Sequence, residues 1–149
     1  MGIEVHNRQR GVRLDLAWLR KFAAEALPAA LEHSDDGRFA LRDLEEVEVA
    51  IVSDKVIARV HAEFMSLPDP TDVITFAHGE IVISADTAQF RAAEFGHSIE
   101  AEIGLYTVHG LLHLNGFEDA DARDAERMHK TQDCIWRACL EKLPSPKPK

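Results

Sequence analysis

His109-Gly110-Leu111-Leu112-His113-Leu114-Asn115-Gly116-Phe117-Glu118-Asp119 decides how this chain is read. Two histidines four residues apart fall about one helical turn from each other, so both imidazoles project from one face. Upstream, Ser98 with Glu100 and Glu102 in the first turn is a helix start, and Ile99, Ile103, Tyr106, Leu111, Leu112 and Leu114 cover most of the circumference. A helix apolar all round is a buried central helix. Asn115-Gly116 ends it and lets the chain fold back, so that a carboxylate past the turn can face the two rings. Two imidazoles and one carboxylate suit a divalent metal with an open position, zinc above all. The plainer alternative is a pair of core histidines satisfied by protein groups. Polar atoms on so apolar a helix need partners in either case.

Outward from this helix the chain reads as one α+β domain spanning residues 1–143, with a Pro/Lys-rich tail at 144–149 expected to fray. Its parts are a small mixed sheet of about four strands and about five helices. Ile3 to Asn7 is a short strand. Asp15 caps a helix in which Leu16, Leu19, Phe22, Ala23, Ala26, Leu27 and Ala30 repeat at helical spacing. Ser34-Asp35-Asp36-Gly37 is a loop. Glu46 to Ile51 alternates with period two, which predicts a half-buried strand facing inward through Val47, Val49 and Ile51. Ser53 and Asp54 cap a second helix with Ile57, Val60 and Phe64 as its apolar stripe, and Pro68-Asp69-Pro70 breaks it. Asp72 to Ala77 and Glu80 to Ser84 form a hairpin through His78-Gly79. Ser84 or Asp86 opens a short helix ending near Gly96. From about Asp121 a last helix carries Met128, Ile135, Trp136, Cys139, Leu140 and Leu143 at helical spacing.

The 149 residues carry 46% hydrophobic and 29% charged side chains, ordinary for a folded globular domain. No run is long and apolar enough to span a bilayer, and Met1 to Arg10 has no signal-peptide core, so the cytoplasm is the expected location. A net charge of −9 argues against coating nucleic acid through bulk electrostatics, and no DNA partner is expected. Arg8, Arg10, Arg13, Arg20 and Lys21 could form a local basic patch; the favoured reading is a solvated face of the first helix. Cys134 and Cys139 point in different directions on one helix and are read as buried or half-buried thiols without a disulfide.

The histidine helix is close to the His-Glu-x-x-His helix of zinc peptidases but has Gly110 where their general-base glutamate stands, so a peptidase loses its base. A glycine inside a helix also hints at close approach of backbone or substrate.

His109 to Asp119 resembles the signature of the YbeY family, His-Gly-x-Leu-His-Leu-x-Gly-Tyr-Asp-His. Pro70-Thr71-Asp72-Val73-Ile74-Thr75-Phe76 is similar to the family's Pro-Thr-Asp-Val-Leu-Ser-Phe, and Gly79-Glu80-Ile81-Val82-Ile83 to its Gly-Asp-Ile-Val-Ile strand. Gly96-His97-Ser98 resembles the run before its metal helix. The resemblance implies a metal-dependent, single-strand-specific endoribonuclease acting in maturation of the 16S rRNA 3′ end and in ribosome quality control. It implies one zinc held by His109, His113 and Asp119, with Glu118 as a proton-transfer or supporting group. It also implies the small ribosomal subunit, the GTPase Era and a small-subunit ribosomal protein as partners.

Two positions depart from the family pattern. Asp119 replaces the third metal histidine; its reach is shorter and its charge weakens the Lewis acidity of the site. The longer Glu118 could ligate instead. Met65 stands at the family's arginine position and cannot bind phosphate as a guanidinium does. Either another cation such as Arg59 or Arg91 serves, or the nuclease activity is reduced. Three readings follow: an endoribonuclease, a catalytically weakened ribosome-associated assembly factor, and another small zinc hydrolase.

Overall fold

The computed structural model describes residues 1–34, 41–65 and 72–149, the Met65 side chain excepted. Most of the loop expected at 34–37, the break at Pro68-Asp69-Pro70 and the Pro70-Thr71 start of the second motif lie outside the described residues.

Among the described residues, four strands form one mixed sheet in the order β1-β2-β4-β3: β1 (Gly2–Asn7), β2 (Glu46–Val52), β3 (Val73–Phe76) and β4 (Glu80–Ser84). β1 and β4 run parallel to β2, and β3 returns antiparallel to β4. The β1-to-β2 and β2-to-β4 connections carry α1 (Leu16–Leu31) and α2 (Asp54–Met65), as parallel pairing requires a crossover. α3 (Ala85–Phe95), α4 (Ile99–Leu114) and α5 (Ala122–Lys142) follow. The caps stand where the sequence places them: Asp15, Ser84, Ser98 and Asp121 accept hydrogen bonds from the first turns of α1, α3, α4 and α5. Gly79, at φ +112°, makes the hairpin turn, and Gly96, at φ +72°, ends α3.

The inner face of the sheet carries the main core. Val5, Val49 and Ile81 lie opposite one another across β1, β2 and β4, beneath α1, α4 and α5. Each fully buried aliphatic side chain there contributes about 1.5–3 kcal/mol. The outer face differs from expectation. Ala50 and Val52 of β2 are also buried, packed with Ile74, Val82 and Ile57 of α2. β2 is therefore covered on both sides at its C-terminal end, and only Glu46 and Glu48 keep the alternation visible. Phe64, expected on the apolar stripe of α2, is 60% exposed, its ring meeting only the edge-strand residue Phe76 edge-on among the described aromatic rings.

α4 is the central helix. Two glycines let it sit close to its neighbours: a Cβ at Gly104 would lie 2.9 Å from the Phe22 ring of α1, and one at Gly110 would lie 2.7 Å from Ile81 Cδ1 of β4. Residues 144–149 lie against the body. Pro144 O accepts from Trp18 Nε1 at 2.7 Å, Lys147 N donates to Asp15 Oδ2 at 2.9 Å, and the Lys149 ammonium pairs with the buried Glu100. Cys139 is buried as read, but Cys134 is exposed, one face round the helix.

Candidate metal centre

His109 and His113 stand one turn apart on α4, each ring held by its inner nitrogen. His113 Nδ1 lies 2.9 Å from Phe117 O, and His109 Nδ1 lies 2.7 Å from Gln132 Oε1 on α5. A carbonyl oxygen can only accept, so both Nδ1 atoms are donors, and in the neutral ring this puts the lone pair on Nε2. These two nitrogens face each other at 3.0 Å, and Asp119 Oδ2 lies 3.8 Å and 3.7 Å from them. Two lone pairs and an anion brought this close repel one another unless a cation lies between. A tetrahedral ion with bonds of about 2.0–2.1 Å holds its nitrogen ligands roughly 3.3–3.4 Å apart, close to what these rings adopt. The donor set therefore fits a divalent metal. The histidine side chains are 20% and 27% exposed and Asp119 is 44% exposed, so the site opens to solvent on the aspartate side.

Local sequence builds this geometry. Asn115 ends α4, Gly116 takes φ +98°, and Phe117 N returns to Leu112 O at 2.9 Å. The Phe117 ring is buried and anchors the turn while its carbonyl faces His113. Asn115 ties the same end to α1: its side chain donates to Ala30 O and His33 O and accepts from Leu41 N at 3.0 Å. Burial and the neighbouring His113 push the His109 pKa below its ordinary value, against the pull of Gln132 and Asp119. A neutral ring is the form that binds metal.

Gly110 is explained by packing. Its Cα faces Ile81, which is fully buried, so a glutamate there would enter the sheet rather than the metal site. Glu118 is exposed and is not among the three groups whose ligand atoms converge. Arg59 is exposed on α2. Arg91 pairs with Glu94 at 3.1 Å, and its charge is felt at the Tyr106 hydroxyl, one turn before His109. That hydroxyl is buried, and burial together with the Glu102 carboxylate pushes its pKa upward.

Sequence reasoning missed Gln132 and left Asp72 without a role. Gln132 had a signal: it is a polar residue on the buried stripe Met128, Gln132, Ile135, Cys139. Asp72, at the start of β3, acts electrostatically on both His109 and Tyr106. A second convergence, Glu4, His6 and Glu48, lies on the open outer face of the sheet. There His6 Nε2 sits 3.3 Å and 3.9 Å from the two carboxylates.

Comparison with known proteins agrees with this geometry. The sequence profile of the family described as endoribonuclease YbeY matches residues 4–139. Proteins named endoribonuclease YbeY from Bacillus pumilus and Thermobifida fusca are 34% and 30% identical. The first match covers 78% of this chain and 79% of the relative, the second 95% and 97%. A third, from a Synechococcus strain, is 31% identical over 91% of this chain and 88% of its own. The solution structure of TM1509 from Thermotoga maritima shares the fold, with a TM-score of 0.57 and 23% identity over the full length of both chains. A profile match from the first strand to the last helix includes the sheet, the metal-facing helix and the turn to Asp119, and on that ground the chain belongs to the YbeY endoribonuclease family.

Proposed function

We propose that this chain is a metal-dependent, single-strand-specific endoribonuclease of ribosomal RNA processing, with one zinc held by His109, His113 and Asp119. The observation that carries the metal assignment is the convergence of the two Nε2 atoms, 3.0 Å apart, with the Asp119 carboxylate. When bound, the ion supplies Lewis acidity that polarises a phosphodiester oxygen or activates water. The chain's own groups do the rest. Gln132 and the Phe117 carbonyl fix both imidazole tautomers and aim Nε2 at one point. Glu118, next to Asp119 and open to solvent, is placed to move a proton to or from the reacting oxygens. Another cation, Arg59 or Arg91, is proposed for the part of the missing family arginine.

Membership in a family named for endoribonuclease activity favours an enzyme over a binding factor of the same fold. The inward-facing Gly110 speaks against a peptidase. The proposed place of action is the 3′ end of 16S rRNA on the small subunit, including ribosome quality control, in the cytoplasm. Era and a small-subunit ribosomal protein are the proposed partners. Among the described residues no helix is long and apolar enough to cross a membrane. The test is cleavage of a single-stranded rRNA fragment by zinc-loaded protein. Activity should vanish with a chelator and in His113→Ala, and return with added zinc only in the wild type. Absence of cleavage by the zinc-loaded wild type would overturn the proposal.

A further inference from the structure

A chain with 26 acidic and 17 basic residues repels a polyanion at long range, and the segment past the metal turn adds Glu118, Asp119, Asp121 and Asp124. An RNA substrate must therefore be held by a local surplus of cations. One is present at the other end of α4. The segment between β1 and α1 is an irregular loop, not the first helix face the sequence suggested. It sets Arg10 and Arg13 on one wall of an open depression, with Lys147 and Lys149 on the other. Arg8 lies two residues before Arg10 at the exit of β1.

Asp15 in the wall and Glu100 beneath it each have partners, though Glu100 Oε1 has none among the described residues. Glu100 is fully buried, accepts from Asp15 N at 2.7 Å and pairs with Lys149. Asp15 accepts from Trp18 N and Lys147 N, and these contacts hold its pKa below the usual range. Arg8, Arg10 and Arg13 are exposed, and among the described residues none of the three side chains makes an ion pair or hydrogen bond. Their loop is braced. Gln9 donates to Asn7 Oδ1 at 2.8 Å and Val12 O at 2.9 Å, and accepts from Val12 N at 2.9 Å. Arg8 N donates to Ile51 O at 2.8 Å, and the Val12 side chain is buried. Guanidinium groups are matched to phosphate, and a braced loop loses little entropy on binding.

We infer that this depression is a docking site for the sugar–phosphate backbone of single-stranded RNA, with Arg10 and Arg13 in its wall and the neighbouring Arg8 on the same loop as phosphate contacts. The inference rests on the endoribonuclease reading and names the surface that holds its substrate. Glu100, under the depression, is nine residues from His109, about 14 Å along the helix axis. The strand would thus be gripped a few nucleotides from the metal residues.

The test uses the full chain with His113→Ala, so that a labelled single-stranded oligoribonucleotide binds without being cut. Affinity is followed by fluorescence anisotropy across a KCl series. Adding Arg8→Gln, Arg10→Gln and Arg13→Gln should weaken binding by on the order of tenfold or more and flatten the log–log salt slope by about 2, at roughly 0.7 per lost phosphate contact. Removing three exposed cations elsewhere (Arg42, Lys55 and Arg137 to Gln) should change the slope much less. In protein with intact metal ligands, the loop substitutions should shrink the preference for a long RNA over a trinucleotide. Equal affinity and slope for the loop variant, or equal losses in both triple variants, would overturn the inference. So would loss of sedimentation with anionic phospholipid vesicles at unchanged RNA affinity, which would point to a membrane surface. If the zinc-loaded wild type cuts neither substrate while the loop still governs RNA binding, the nuclease reading fails and the docking site stands.

Discussion

The two ends of α4 lack opposite things. At its N-terminal end Glu100 is buried but met by a backbone N–H and a lysine, and the surplus left over is positive, on three unpaired arginines. At its C-terminal end two ring nitrogens and a carboxylate face one another, and among the described residues no lysine or arginine pairs with them. One end calls for an anion, the other for a cation. A net charge of −9 conceals both. Whole-chain charge thus says little about what a protein of this size binds; the sign of each local surplus says more.

The comparison can be broken most severely at Asp119. Asp119→Ala removes the anionic partner of the two imidazoles, and purified protein should lose stoichiometric zinc by elemental analysis together with more than about a hundredfold of RNA cleavage. Asp119→His should keep the zinc and shift the pH–rate profile toward acid, since a neutral ligand leaves the metal a stronger Lewis acid. Retention of full zinc by the alanine variant would mean that the carboxylate is not a ligand.

A smaller effect is expected one step from the ligands. Gln132→Leu frees the His109 ring while keeping the volume of the stripe on α5, and zinc affinity by competition with a chelating dye should fall about 10–100-fold. Circular dichroism should be unchanged; a variant with wild-type affinity would show that the ring needs no brace.

Gly110→Ala addresses packing alone. The new methyl meets three Ile81 carbons at 2.7–2.9 Å. Overpacking costs about 1–3 kcal/mol and the better helix residue returns up to about 1. A net loss of roughly 1–2 kcal/mol should appear as a lower urea midpoint.

The smallest effect concerns protons. The His109 pKa is depressed below 6.5. Above 6.5 the ring is neutral in folded and unfolded chains and contributes no pH dependence. As pH falls below 6.5 the unfolded chain takes up the proton first, so stability is withdrawn until the folded ring protonates too. Metal-free protein should therefore lose urea resistance on the acid side of 6.5, and His109→Gln should lose less over the same range.

Much of the fold was legible because its signals are local. Ser98, Asp121 and Gly96 mark helix ends through their own side chains or backbone freedom, and the apolar spacing of α4 announces burial on every side. The site was legible as far as i, i+4 spacing and a turn can carry it, to His109, His113 and the carboxylate pair. Family register points to Asp119, whose carboxylate lies in one cluster with the two ring nitrogens, while Glu118 stands outside that cluster. What was not legible depends on other segments. Ala50 and Val52 look like the outward side of a strand until α2 covers them. Phe64 looks inward, yet in the fold it lies beside Phe76 of the edge strand and stays largely exposed. Arg8, Arg10 and Arg13 read as part of a solvated helix face until Gln9 closes the loop that carries them.

The sequence by itself determined that one buried helix carries two histidines on one face and a carboxylate past its end, because periodicity, caps and a Gly turn act within a few residues of themselves. Only the tertiary structure decided the protonation of those rings, since the acceptors that hold them are a turn carbonyl and a glutamine from a helix packed alongside. Only it decided that Gly110 serves the sheet and not the chemistry, and that a loop near one terminus and a tail near the other share a basic depression. Contacts between distant segments depend on how the chain closes in space, and no local pattern encodes that closure.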